Sequence, residues 1–235
     1  STRARGAGTT ERDPLQEVET NAVKTLPLTI AVAQLKGGCG KTTIATHIAA
    51  RSARTGLATW LLDLDRQRSA LDWVARRPAE LPPITALAAD AEELHLPSGA
   101  GITVIDVPAG LRRKALHEVI RVADVVVVPV QPSAFDESAT RVFLDQLQEL
   151  KPVRKGRRPV AVVGNRVDPR TAAGRRLDTF LAELSFPAVA RLPSSQLYVT
   201  AAETGVTVFD LPRGVAGRLL PAWDPLWTFI HESTP

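Results

Sequence analysis

The stretch Leu35-Lys36-Gly37-Gly38-Cys39-Gly40-Lys41-Thr42-Thr43 constrains this chain more than any other, because it follows a short apolar run and opens a segment of helical spacing. Glycine reaches backbone conformations closed to other residues, so a cluster of three lets the main chain fold its N–H groups around an anion. The helix that begins where the loop ends adds the positive end of its dipole. Strand, glycine loop and helix together read as a phosphate cradle, with Lys41 placed for β- and γ-phosphates, the Thr42 hydroxyl for Mg²⁺ and Thr43 for phosphate oxygens. A glycine-rich turn alone would mean no more than a strand-to-helix connection. Two lysines and two threonines in register make that account insufficient.

The match to G-x-x-x-x-G-K-[ST] is imperfect, since Leu35 stands where the first glycine belongs. A second lysine, Lys36, precedes the glycine pair instead, and K-G-G-x-G-K-T-T resembles the deviant phosphate loop of the ParA/MinD family of ATPases. The resemblance implies an α/β fold, the three-layer P-loop NTPase arrangement of a mostly parallel sheet flanked by helices. It also implies ATP and Mg²⁺ as cofactors, and a nucleotide-sandwich homodimer in which Lys36 crosses to the partner's phosphates. Residues 36–43, that is Lys36, Gly37, Gly38, Cys39, Gly40, Lys41, Thr42 and Thr43, form the expected nucleotide loop.

The rest of the chain reads as alternating strands and helices. Residues 28–34, 57–65, 101–107, 124–130 and 159–164 are continuous apolar runs of the kind a parallel sheet buries on both faces. Residues 84–88 read as an edge strand, and residues 42–55, 69–77 and 171–184 as helices. The second run closes on Asp63 and Asp65, at the strand's carboxyl end where α/β sheets place ligands. Family members carry D-x-D-P-Q there; Asp63, Asp65 and Gln67 match, while Arg66 replaces the proline. By that resemblance Asp65 orients the attacking water and Asp63 supports the metal or the switch region. The third run ends in Asp106, an arrangement in which the carboxylate holds Mg²⁺. Lys36, Lys41 and Asp65 are therefore the expected catalytic groups, and Thr42, Asp63 and Asp106 the expected metal side.

Residues 124–130 with Gln131-Pro132-Ser133 and Phe135-Asp136 resemble the family segment whose loop and helix make dimer contacts. The run 159–164 ends in Asn165-Arg166-Val167-Asp168, a spelling close to the guanine-reading N-K-x-D. Relatives in the ParA/MinD family often carry Asn-Arg at this point with the amide on adenine, so Asn165 and Arg166 are expected at the base of ATP rather than GTP.

Residues 151–159 hold five cations and no acid: Lys151, Arg154, Lys155, Arg157 and Arg158. A solvated loop and a DNA-phosphate contact account for them equally well. Arg175, Arg176, Arg191 and Arg218 are further candidates for a DNA surface. A net charge of +4 permits such contact without requiring it. One cysteine excludes an internal disulfide and a cysteine-built cluster within the chain.

Residues 1–26 are polar and poor in large apolar side chains, and read as a disordered tail in front of an ATPase domain over residues 27–235. No apolar run reaches the ~18 to 20 residues of a membrane span, and the N-terminus lacks a signal peptide's apolar core. The apolar stripe of residues 215–231 reads as a core-facing helix without the basic flank of a lipid-binding one. The resemblance, over residues 28–231, implies a cytoplasmic, nucleoid-associated partition or positioning ATPase. Such a protein binds DNA non-specifically as the ATP dimer, is released by hydrolysis, and answers to a ParB-like partner or cargo adaptor rather than a membrane. A nucleotide switch that scarcely hydrolyses, and a MinD-like membrane-associated ATPase, are the alternatives.

Overall fold

The computed structural model describes residues 27–233; the reading of residues 1–26 as a tail lies outside them. Among the described residues a seven-stranded parallel sheet forms in the order β3-β2-β4-β1-β5-β6-β7. Its strands are β1 (Leu28–Val32), β2 (Thr59–Asp63), β3 (Thr85–Ala88), β4 (Ile102–Asp106), β5 (Val125–Val130), β6 (Val160–Val167) and β7 (Ala188–Pro193). The helices between them are α1 (Lys41–Ala53), α2 (Ser69–Ala75), α3 (Arg113–Val122), α4 (Ala134–Glu149), the single turn α5 (Lys151–Arg154) and α6 (Ala172–Ala182). After β7 come α7 (Leu197–Glu203), α8 (Arg213–Ala216), a 3₁₀ turn at Leu220–Trp223 and α9 (Asp224–Glu232).

Both faces of the sheet are apolar because the central strands have no polar alternation, and period-2 geometry sends alternate residues to opposite sides. Ile30, Val32, Val125 and Val127 pack with Ile44 and Ile48 of α1, Trp73 of α2 and Leu226 and Ile230 of α9. Ala31, Val126 and Val128 pack with Leu116 and Ile120 of α3, Phe143 and Leu147 of α4 and Leu177 of α6. The three-layer expectation holds, and every strand delivers its carboxyl end to one edge of the sheet.

Four local readings are corrected. The strand over residues 57–65 stops at Asp63, so Asp65 stands in the following turn rather than on the strand face beside it. Residues 151–154, read as loop, form the turn of helix α5, with Pro152 in its first turn where no backbone donor is required. Strand β7 carried no signal, because Arg191 interrupts a short run whose burial is mixed. The segment 215–231 is not one helix: Gly217, Pro221 and Pro225 divide it, and proline is tolerated only at the start of each new piece. Its apolar stripe is nevertheless spent on the core, since Leu219, Trp223, Leu226 and Ile230 are buried. Among the described residues no helix is long and apolar enough to cross a membrane.

Candidate nucleotide site

The strand register assembles the site. Val32, Asp106 and Asp63 are laterally paired across β1, β4 and β2, so two carboxylates come level with the residue that leads into the glycine loop. Gly38 and Gly40 have φ of 78° and 96°, the left-handed region that L side chains avoid. Gly40 is fixed twice over, because a Cβ there would lie 2.2 Å from the Asn165 amide nitrogen.

The loop is closed on itself and tied to the sheet. Lys41 Nζ donates to the Lys36 carbonyl at 3.0 Å. Gln131 Nε2 donates to the Gly38 carbonyl at 2.6 Å, and Asn165 Nδ2 to the Cys39 carbonyl at 2.8 Å. Burial raises the Cys39 thiol pKa, against the lowering effect of the Lys41 ammonium. The Lys36 ammonium turns away from the loop to the Asp136 carboxylate, 3.6 Å distant at the start of α4, and its side chain remains 36% exposed. Asp136 is held in place by the connection from β1, where Gln34 Nε2 donates to Thr140 Oγ1 and Thr140 donates to the Asp136 carbonyl.

The carboxylates have separate duties. Thr42 Oγ1 donates to Asp106 Oδ2 at 2.6 Å, while the buried Asp106 Oδ1 has no hydrogen-bond partner. Burial raises the Asp106 carboxyl to about 7, with the Thr42 hydrogen bond opposing and Asp63 adding to the rise. A buried carboxylate oxygen without a donor is costly, and a hard divalent cation takes oxygen ligands of this kind. The Thr42–Asp106 pair therefore fits Mg²⁺. Asp63, expected to support the metal or the switch region, accepts from the backbone N–H groups of Asp65, Ala70 and Leu71, capping the start of α2 and bracing the switch turn. Asp65 accepts from Gln67 N within that turn, and Arg68 holds a left-handed φ of 54°.

A pocket of about 620 Å³ opens beside the helix start, lined among others by Thr43, Arg76, Asn165, Arg166, Ser195 and Tyr198. Asn165 reaches it from the end of β6, but in this state its amide serves the loop and the Arg166 backbone. Residue order held no sign of Asp136, Gln34 and Thr140 as supports of the loop, because they meet only where the fold sets the start of α4 beside the end of β1.

The eight DNA candidates do not converge. Arg175 and Arg176 stand at the start of α6, on the nucleotide edge, with Arg176 paired to Glu137. Arg191 pairs with Asp178, and Arg218 lies exposed in the turn after α8. Arg158 lies 4.0 Å from Asp124, whereas Arg154, Lys155 and Arg157 are exposed before β6.

Comparison with known proteins agrees with this geometry. Residues 30–208 match the CobQ/CobB/MinD/ParA nucleotide binding domain. The maintenance of carboxysome distribution protein A of Halothiobacillus neapolitanus is 30% identical over 214 residues, covering 88% of this chain and 96% of that protein. Among solved structures, the ATP complex of a Cyanothece McdA variant superposes with a TM-score of 0.65 at 15% identity, over 85% of this chain and 96% of that one. The MinD cell division protein of Aquifex aeolicus gives 0.65 at 19% identity, over 88% and 98%.

Proposed function

The chain belongs to the CobQ/CobB/MinD/ParA nucleotide-binding family, whose ParA/MinD members are ATPases, and from that premise we propose that it is an ATP-driven positioning ATPase. It binds ATP in the glycine loop, closes into a sandwich homodimer, holds DNA non-specifically as that dimer, and lets go on hydrolysis. The relative named for carboxysome distribution makes a protein assembly as eligible a cargo as a plasmid or chromosomal locus.

The observation that carries this reading is the position of Lys36. A lysine meant for its own loop would lie over that loop as Lys41 does; Lys36 instead rests half-exposed on Asp136, available to a second subunit. On nucleotide binding Lys41 exchanges the Lys36 carbonyl for phosphate oxygens, which are stronger, charge-assisted acceptors. Thr42 and Asp106 would hold Mg²⁺, which when bound would offset charge on the β- and γ-phosphates. Lys36 leaves Asp136 for the partner's phosphates, Asp65 orients the attacking water, and Asn165 and Arg166 flank the base. The test is light scattering of the full chain with ADP or ATP and Mg²⁺, together with phosphate release with and without duplex DNA. ATP-dependent dimers and slow phosphate release are the expected result.

A switch with scant hydrolysis is the second reading. Asp65 is engaged by its own turn, and Arg66 replaces the family's proline in that turn. Dimers without phosphate release would select it.

A further inference from the structure

We propose that Arg77 and Asp210 are positioning residues for hydrolysis: they fix α2, and with it the Asp65 turn, relative to the helix that opens the phosphate loop. This assignment rests on the hydrolysis reading given above and adds to it two residues outside the loop and the strand ends.

Helix α2 spans seven residues, about 10 Å at ~1.5 Å per residue, and the Asp65 turn leads into its start. Only Ala70 and Trp73 of its residues are buried, which is little apolar surface to hold so short a helix. Polar contacts hold its far end. Arg77 Nη1 donates to Asp210 Oδ2 at 3.0 Å and Nη2 to Oδ1 at 3.1 Å. Nη1 donates also to the Gly205 carbonyl and Nε to the Pro82 carbonyl, each at 3.2 Å. Asp210 Oδ2 accepts in addition from the backbone and hydroxyl of Thr207. The two side chains are only 4% and 1% exposed. Burial raises the Asp210 carboxyl, but the Arg77 and Thr207 hydrogen bonds outweigh it and hold the pKa below its ordinary value. Around the pair the two segments touch closely: Trp73 Nε1 donates to the Val206 carbonyl at 3.3 Å, and a Cβ on Gly205 would lie 2.4 Å from Arg77 N.

A buried ion pair stabilises a fold little better than apolar side chains of the same volume. What a guanidinium bidentate on a carboxylate supplies is a fixed distance and orientation. The geometry set here runs back to the phosphates. Val208 N donates to His47 Nε2 at 3.3 Å, and His47 Nδ1 donates to the Thr43 carbonyl at 2.7 Å, so residues 205–210 are joined to α1 one residue beyond Thr42. At the near end of α2, Asp63 accepts from Asp65, Ala70 and Leu71. The turn bearing Asp65 and the helix bearing Lys41 and Thr42 are therefore both referenced to residues 205–210. A misplacement of ~1 Å at a reacting centre costs on the order of 100-fold in rate, so loosening this brace acts on hydrolysis before it acts on binding.

The test uses the full chain with Arg77→Lys, which keeps the charge but not the fork, and with Arg77→Gln plus Asp210→Asn, which leaves no buried charge. Urea melts fix a temperature at which each is folded. Labelled ATP should bind both within about threefold of wild type, while single-turnover phosphate release at saturating ATP and Mg²⁺ falls by about tenfold or more. Unchanged release in the folded double variant overturns the proposal, as does a loss of ATP affinity as large as the loss of rate. Amide exchange with ATP bound reads the brace without any hydrolysis: residues 65–71 should exchange about tenfold faster in the double variant, and residues 41–48 as in wild type. Equal exchange over residues 65–71 in variant and wild type also overturns it. A wild-type protein that binds ATP and releases no phosphate removes the hydrolysis reading, and the exchange comparison then decides the brace alone.

Discussion

Lys36 Nζ lies 3.6 Å from the Asp136 carboxylate, so the lysine that distinguishes this loop is balanced by an acid of its own subunit a hundred residues further along the chain. In a lone subunit Lys36 adds little to phosphate binding that Lys41 does not already supply. Lys36→Ala should keep ATP affinity within about tenfold, ~1.4 kcal/mol, while ATP-dependent dimerisation and hydrolysis fall. Lys41→Ala should lose both together. Asp136→Asn should act in the opposite direction and raise the dimer fraction, by a few-fold for a partly exposed ion pair of up to ~1 kcal/mol. Nucleotide titration and light scattering on the same three proteins decide the matter. A Lys36→Ala protein that dimerises normally would reduce the lysine to a surface charge.

Asp65 leaves the phosphate cradle intact when it is removed, because its contacts are confined to the turn ending at Arg68. Asp65→Ala is therefore expected to bind ATP, to stop releasing phosphate, and to accumulate as dimer on gel filtration with ATP and Mg²⁺. A protein that stays monomeric under those conditions would place the water-orienting role elsewhere.

Gly40 allows a purely structural test. A methyl group at φ 96° is strained whatever surrounds it, and here it also meets the Asn165 amide at 2.2 Å. Gly40→Ala should cost at least ~2 kcal/mol, which for a chain of this size is a fall in Tm of roughly 4 to 8 °C. Adding Asn165→Ala removes the collision but leaves the backbone strain, so Tm should recover in part while ATP affinity stays low. Full recovery would mean that the conformation itself is cheap.

What was legible follows the physics of each element. Buried parallel strands are unbroken apolar runs, so β1, β4 and β5 announced themselves, and the loop between β1 and α1 has a spelling tied to its chemistry. That Asp106 meets the loop's Thr42 was legible, because the carboxyl ends of strands in α/β sheets face the ligand side. The Lys36–Asp136 pair was not, since no local pattern records that α4 packs its first turn against the loop. Nor were the three backbone donors that Asp63 accepts from, because a capping carboxylate and a metal-side carboxylate are spelled alike at the end of a strand. In residues 151–159 the charge count was plain, but that Arg158 sits against an acid, Asp124, depends on how the chain folds.

His47, on the buried side of α1, makes stability depend on pH. Its Nδ1 donates to the Thr43 carbonyl at 2.7 Å, Val208 N donates to its Nε2 at 3.3 Å, and the ring stacks on Trp223 at 4.8 Å. With both nitrogens engaged in the neutral form, and no room for a hydration shell, burial lowers its pKa to about 4 from the usual 6.5; the Thr43 bond and distant Asp210 oppose this only in part. Above pH 6.5 neither folded nor unfolded chain carries a proton here, and the residue contributes no pH dependence. Between 6.5 and 4 the unfolded chain binds a proton that the folded one refuses, so stability falls by up to ~3 kcal/mol over that window. Below 4 both states are protonated and the loss levels off. Because other groups titrate in acid, the decisive quantity is the difference between wild type and His47→Gln in urea melts at pH 7 and pH 4. The stability lead of the wild type should shrink by about that amount on acidification; a lead that stays constant would mean His47 is protonated in the folded chain, with Val208 N no longer donating to it.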